Sequence, residues 1–225
     1  MKNMKHLLLG AAFFALIFTA CTKDEHTDPV EGTGAAANYT ACDFIGFKVG
    51  SVGTYTDSVD YTMTCIGNKT FNGKEWLEIK SSDDTTNTFL RCETDFLWLK
   101  SPAELYLSEE FVGVDWIDLR MVKSNAKVGD TWTDNVSTTD STFGITYNTT
   151  FKTTVKSVDG TRSVNGKTYS GVTQTELMMS LSYTYMGQTE TTDTQTINYW
   201  YAPNYFLIEG KAQDGSGTKL KSFQP

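Results

Sequence analysis

Gly67-Asn-Lys-Thr-Phe-Asn-Gly-Lys-Glu-Trp76 returns without a gap as Gly160-Thr-Arg-Ser-Val-Asn-Gly-Lys-Thr-Tyr169. Asn72-Gly73-Lys74 and Asn165-Gly166-Lys167 are identical, and the flanking positions keep basic, hydroxyl, apolar and aromatic character. A type I′ turn needs positive φ at both central residues, so Asn-Gly between apolar runs marks a hairpin in each copy. Upstream, Lys48-Val49-Gly50 with Tyr55 is echoed by Lys127-Val128-Gly129 with Trp132. Downstream, Thr86-Asn-Thr-Phe89 and Asp95-Phe-Leu-Trp-Leu99 are echoed by Thr194-Gln-Thr-Ile197 and Asn204-Tyr-Phe-Leu-Ile208. An internal repeat of this span implies one structural unit used twice, over about residues 44–100 and 123–210.

Between these markers the chain alternates with period two, as half-buried strands do. Ile145, Tyr147, Phe151 and Val155 occupy odd positions of a run whose even positions are polar, and threonine is abundant on the solvated faces. Consecutive hairpins imply an all-β antiparallel meander. Residues 100–127 lack linker composition, so both units share one domain, 39–225. One helix is expected, because Ser101-Pro102-Ala103-Glu104 reads as a capping box with proline at the first helical position.

The N-terminus has a different character. Lys2 and Lys5 precede an uncharged stretch from Leu7 to Ala20 that ends in Phe18-Thr19-Ala20-Cys21. A basic start, a short apolar run and small residues before a cut site describe a secretion signal over 1–20. Phe-Thr-Ala-Cys resembles the lipobox of bacterial lipoproteins, which implies that Cys21 is acylated and becomes the first mature residue. Two or three acyl chains, at about 0.8 kcal/mol per buried methylene, anchor stably where one does not. Lys23-Asp24-Glu25 resembles the export signal of surface lipoproteins in the Bacteroidetes. Residues 21–38 then have linker composition, a tether with a reach of roughly 20 to 25 Å. The expected location is the outer membrane, facing the cell surface, with the N-terminal lipid as membrane partner.

Charge and side-chain inventory narrow the function. The formal charge is −8, and loss of Lys2 and Lys5 with the leader makes it −10, which argues against nucleic acid. Both histidines, His6 and His26, precede the domain, so its commonest general base and metal ligand are absent. No catalytic residues, metal or cofactor are therefore expected. Cys42, Cys65 and Cys92 suggest one disulfide and one buried thiol, with the pairing left open. Acidic groups at Asp83-Asp84, Glu109-Glu110 and Asp115 with Asp118 read as solvated loop charge; a carboxylate-pair enzyme is the competing reading.

Lys-Val-Gly-Asp-Thr-Trp, Val-Asn-Gly-Lys-Thr-Tyr and Tyr-Trp-Tyr-Ala-Pro-Asn-Tyr-Phe-Leu-Ile-Glu-Gly together resemble a family of Bacteroidetes lipoproteins. The resemblance covers most of the mature chain, brings no catalytic motif, and implies a curved half-barrel sheet like those of lipoprotein carriers, with a β-sandwich as second choice. Asn204-Tyr205-Phe206 departs from the family form, with aromatics where glycines are usual, so the bend there can differ. Adjacent residues of a strand point to opposite faces, so Tyr199, Trp200 and Tyr201 should leave at least one ring turned away from whatever lies behind. With Trp98 they are the candidate ligand-binding residues, suited to stacking on sugar rings. Three roles follow: a glycan or nutrient binder, a carrier of a lipid or other apolar ligand, or a structural lipoprotein.

Overall fold

The computed structural model describes residues 38–225 other than 84, 85, 108, 109, 141–143, 192 and 193, with only the backbone for 102–107, 110–115, 138 and 140. The leader, Cys21, Lys23, Asp24, Glu25 and the tether to residue 37 lie outside the described residues. Thirteen strands follow a 3-10 turn at Ala41–Phe44: β1 (Val52–Thr56), β2 (Asp60–Phe71), β3 (Lys74–Ser81), β4 (Thr88–Cys92), β5 (Phe96–Leu107), β6 (Glu110–Lys123), β7 (Thr131–Asp140), β8 (Ile145–Val164), β9 (Lys167–Tyr185), β10 (Gln188–Thr191), β11 (Gln195–Ala202), β12 (Phe206–Ala212) and β13 (Gly217–Gln224). All belong to one antiparallel sheet, ordered β6-β5-β4-β3-β2-β1-β13-β12-β11-β9-β8-β7, with the short β10 paired to β9 off this path. The sheet is nearly closed into a barrel, which decides for the curved sheet and against the sandwich.

This order is two six-stranded meanders joined where the first and last strands pair, from Val52 opposite Gln224 to Thr56 opposite Lys219. Local geometry repeats as the topology does. In the first half Gly50 N–H donates to the Cys65 carbonyl (2.9 Å), Cys65 N–H to Ser51 (3.0 Å) and Ser51 N–H to Lys48 (2.9 Å). In the second, Gly129 N–H donates to Val155 (2.9 Å), Val155 N–H to Asp130 (2.9 Å) and Asp130 N–H to Lys127 (3.0 Å). Each half then has a register shift one step later, at Cys65/Gly67 and at Val155/Ser157, before its Asn-Gly turn. The turns match, with φ of 50° and 74° at Asn72-Gly73 and 48° and 76° at Asn165-Gly166.

The expected helix at Ser101 is corrected by the structure: β5 continues as strand through Ser101-Pro102-Ala103-Glu104. Leu97, Leu99 and Ser101 alternate into the interior, and Leu99 and Ser101 stand opposite Leu119 and Ile117 of β6. That long ladder outweighs a local capping signal. Proline, which cannot donate, falls where the register shifts between Pro102 and Ala103. A capping interaction does occur at the 3-10 turn, where Thr40 N–H donates to the Asp43 carboxylate at 2.7 Å.

The interior is filled by side chains. Leu77, Leu90, Leu99 and Leu119 form a row across β3 to β6, and Tyr55, Tyr61, Tyr199 and Tyr201 occupy the middle. Cys42 and Cys92 form a disulfide that ties the 3-10 turn to β4, and Cys65 is the buried free thiol.

The two ends of the sheet, β6 and β7, share no backbone ladder among the described residues, and side chains join them instead. Trp132 Nε1 donates to the Arg120 carbonyl (2.9 Å), and Arg120 N–H reaches Asp134 Oδ2 (3.2 Å). The Arg120 guanidinium donates to Asp134 Oδ1 (2.8 Å) and the Thr133 carbonyl (2.7 Å). Both backbone groups of Arg120 are thus satisfied by side chains of β7 in place of a backbone ladder.

Candidate ligand-binding face

The segment 199–201 does not offer the open ring expected of it. Tyr199 and Tyr201 point into the barrel and are 1% and 0% exposed. Trp200 does turn to the opposite face, as strand geometry requires, but that face is covered. The tip of the β8–β9 hairpin folds over β11 to β13, which places the Arg162 guanidinium 3.7 Å from the centre of the Trp200 ring and Nε 2.6 Å from Glu209 Oε2. Asn165 Nδ2 anchors the same tip to the Leu220 carbonyl at 3.0 Å. Arg162, Trp200 and Glu209 are consequently all buried.

Burial pushes the Tyr199 and Tyr201 phenols well above their ordinary pKa, as it does Tyr55. All three stay protonated at physiological pH and are unsuited to act as bases. Beside Tyr199, Tyr201, Thr153 and Thr175 lies a void of about 10 Å³, room for a single water.

Trp98 is half-buried on the outer face. Its ring takes one side of the Arg91 guanidinium (5.6 Å) while Trp76 takes the other (4.4 Å), so its π face is already used by the protein. Arg91 pairs with Glu93, which Lys74 also holds at 2.9 Å.

The open aromatic on this face is Trp116, 43% exposed. Its ring packs edge-on against Phe89 (5.4 Å) and tilted against Phe71 (6.3 Å), and Phe71 meets Phe89 edge-on at 4.8 Å. Phe89 is buried, so the trio has a fixed base. Two ammonium groups lie over it: Lys69 Nζ is 5.3 Å from the Phe71 centre and 5.5 Å from Phe89, and Lys100 Nζ is 5.5 Å from Phe71. Strands β2, β4, β5 and β6 each supply part of the cluster, and ladder alternation puts all of it outside the barrel.

Trp116 is not among the residues that the sequence singles out. Its signal was the register Trp116-Ile117-Asp118-Leu119-Arg120, in which an indole shares the polar parity of Asp118 and Arg120. Among the acidic groups, Asp118 pairs with Lys100 and Asp83 accepts from Ser81, while the side chains of Asp84, Glu109, Glu110 and Asp115 are not among those described. No group of three metal-ligating side chains occurs among the described residues.

Comparison with protein-family models, with curated proteins and with solved structures finds no match to this chain.

Proposed function

We propose that the protein is a non-enzymatic binding lipoprotein of the outer membrane, anchored through acylated Cys21, that holds a glycan on the outer face of its first half. The observation that carries this reading is Trp116, a large apolar ring left open on a strand face and backed by Phe71 and the buried Phe89. Fixed aromatic platforms of this kind accept the C–H face of a pyranose at little conformational cost. The position of the lipobox cysteine ahead of a 17-residue tether supports presentation of that face away from a bilayer. The carrier reading draws less support, since Tyr55, Tyr61, Tyr199 and Tyr201 fill the space an acyl chain would need.

The test is a binding panel of oligosaccharides and fatty acids on the purified full chain, read by calorimetry. Binding of at least one oligosaccharide, lost about tenfold or more in Trp116→Ala with an unchanged near-UV spectrum, is the expected outcome. Stoichiometric fatty-acid binding with no sugar response would replace this reading by the carrier. Mass spectrometry of the membrane-extracted protein should find Cys21 as an acylated N-terminus; an intact leader would remove the location.

A further inference from the structure

We infer that the Trp116 face selects an acidic sugar, with the carboxylate of a uronic-type residue held at Lys69 and the adjoining pyranose ring on Trp116. This rests on the glycan reading above and adds the charge class of the ligand.

Three lysines of the described residues place their ammonium groups over aromatic rings, and two of them already have a polar side-chain partner. Lys100 is paired with Asp118, and Lys167, 4.3 Å from the Tyr205 centre, donates to the Tyr205 hydroxyl at 3.2 Å. Lys69 has no carboxylate within ion-pair distance among the described residues. Its side chain is exposed, with its ammonium over Phe71 and Phe89. A cation in that position has given up part of its hydration to two ring faces and keeps the remainder of its shell for an anion.

Lys69 and Trp116 share both Phe71 and Phe89 as neighbours, so a charge and an open indole face stand side by side on one rigid base. A ligand that satisfies both needs an anion carried close to an apolar C–H face, which describes an oligouronide better than an acidic peptide. The local sign also runs against the rest of the molecule, whose formal charge is −8. An anionic polymer is repelled by most of the surface and accepted here, so the same charges that suppress wrong docking favour the correct one.

In the second half the repeat counterpart of Lys69 is Arg162, which is held by Trp200 and Glu209, and another cation among rings sits at the counterpart of Lys74. There Lys167 lies 5.1 Å from Tyr169 and reaches Tyr205, whose ring stacks edge-on with Tyr169 (5.1 Å) and Phe223 (5.8 Å). That ammonium is tied to a phenol hydroxyl of its own cluster. In the first half the cation and the indole remain available.

The experiment titrates the full chain with a neutral oligosaccharide, an oligouronide of equal length and a polyglutamate peptide, at low and at moderate salt. The oligouronide should bind about tenfold more tightly than the neutral sugar, and its advantage should shrink as salt rises. Lys69→Gln should lower oligouronide affinity about three- to fivefold while leaving neutral-sugar affinity unchanged, and Lys69→Arg should restore it. Trp116→Ala should weaken both sugars. Equal binding of the two sugars, with no effect of Lys69→Gln, overturns the charge inference and leaves the glycan reading standing. Binding of neither sugar overturns both, and polyglutamate binding insensitive to Trp116→Ala replaces the sugar by an acidic peptide.

Discussion

The two halves of the barrel are built on the same turns and differ in what covers their outer faces. In the second half β8 and β9 run 20 and 19 residues, and their curled tip seals Trp200 beneath Arg162 and Glu209. In the first half the matching strands run 12 and 8 residues, and the tip reaches only as far as Phe89 and Trp116. Each half also has an arginine that meets a tryptophan and a glutamate, at different positions of the repeat, and Glu209 is 2% exposed against 39% for Glu93. The longer tip thus covers the outer face of its half, and the shorter one leaves Trp116 open.

That contrast predicts its own largest effect. Glu209→Ala strands the Arg162 charge in a dry site and should cost about 3–5 kcal/mol of stability. Glu93→Ala also leaves a buried guanidinium, Arg91 at 9% exposure, but the lost carboxylate is 39% exposed and two indoles still face the cation, so the cost should be smaller, about 1–2 kcal/mol. Urea unfolding of the two variants measures both. Equal losses would mean that the second hairpin tip seals no better than the first.

How much of this could be read in advance follows from the range of each interaction. The Asn-Gly turns, the Lys-Val-Gly turns and the period-two alternation are local, and the structure has them where the sequence puts them. The cover over Trp200 is not local: Arg162 lies 47 residues from Glu209 and reaches it through register shifts at Ser157, Gly160 and Thr161, whose sense no alternation pattern encodes. Ser101-Pro102 failed for the opposite reason, since a sound local helix signal lost to a ladder with β6 that only the whole sheet defines. Trp116 was legible from its parity alone, but parity marks which face a ring is on and not whether another strand tip covers it.

The equivalence of the two turns can be sharpened with smaller changes. A Cβ at Gly73 or Gly166 meets no atom within 4 Å, and both residues have positive φ, so an alanine at either position is penalised only by backbone strain. Gly73→Ala and Gly166→Ala should each cost about 1 kcal/mol, equal within about 0.5 kcal/mol. Asn165→Ala should exceed Asn72→Ala by about 1 kcal/mol, because only Asn165 also donates across the fold, to Leu220. Thermal unfolding of the four variants reads the comparison, and an excess on the Asn72 side would break it.

The smallest expected difference lies in the Lys-Val-Gly turns, where one side chain distinguishes the halves. Lys48 N–H donates to the Ser51 hydroxyl at 3.0 Å, whereas Lys127 N–H donates to the Asp130 carboxylate at 3.2 Å. Asp130 also accepts from Lys123 of β6 (2.9 Å), so the second turn belongs to the barrel seam. That hydrogen bond from Lys123, with the Lys127 N–H and the charges of both lysines, holds the Asp130 carboxyl below its ordinary pKa against the opposing pull of desolvation. A depressed folded pKa means that the ionised form stabilises the fold above the ordinary carboxylate value, and that this contribution disappears as pH falls through the folded pKa. Asp130→Ser, which copies the first half, should cost a few tenths of a kcal/mol near neutral pH and nothing in acid, the size being limited because the group is open to solvent. Unfolding curves of the two proteins should thus converge as pH drops below about 4. Parallel curves at every pH would mean that the seam draws no net support from this carboxylate, and that the two turns are interchangeable in energy as well as in geometry.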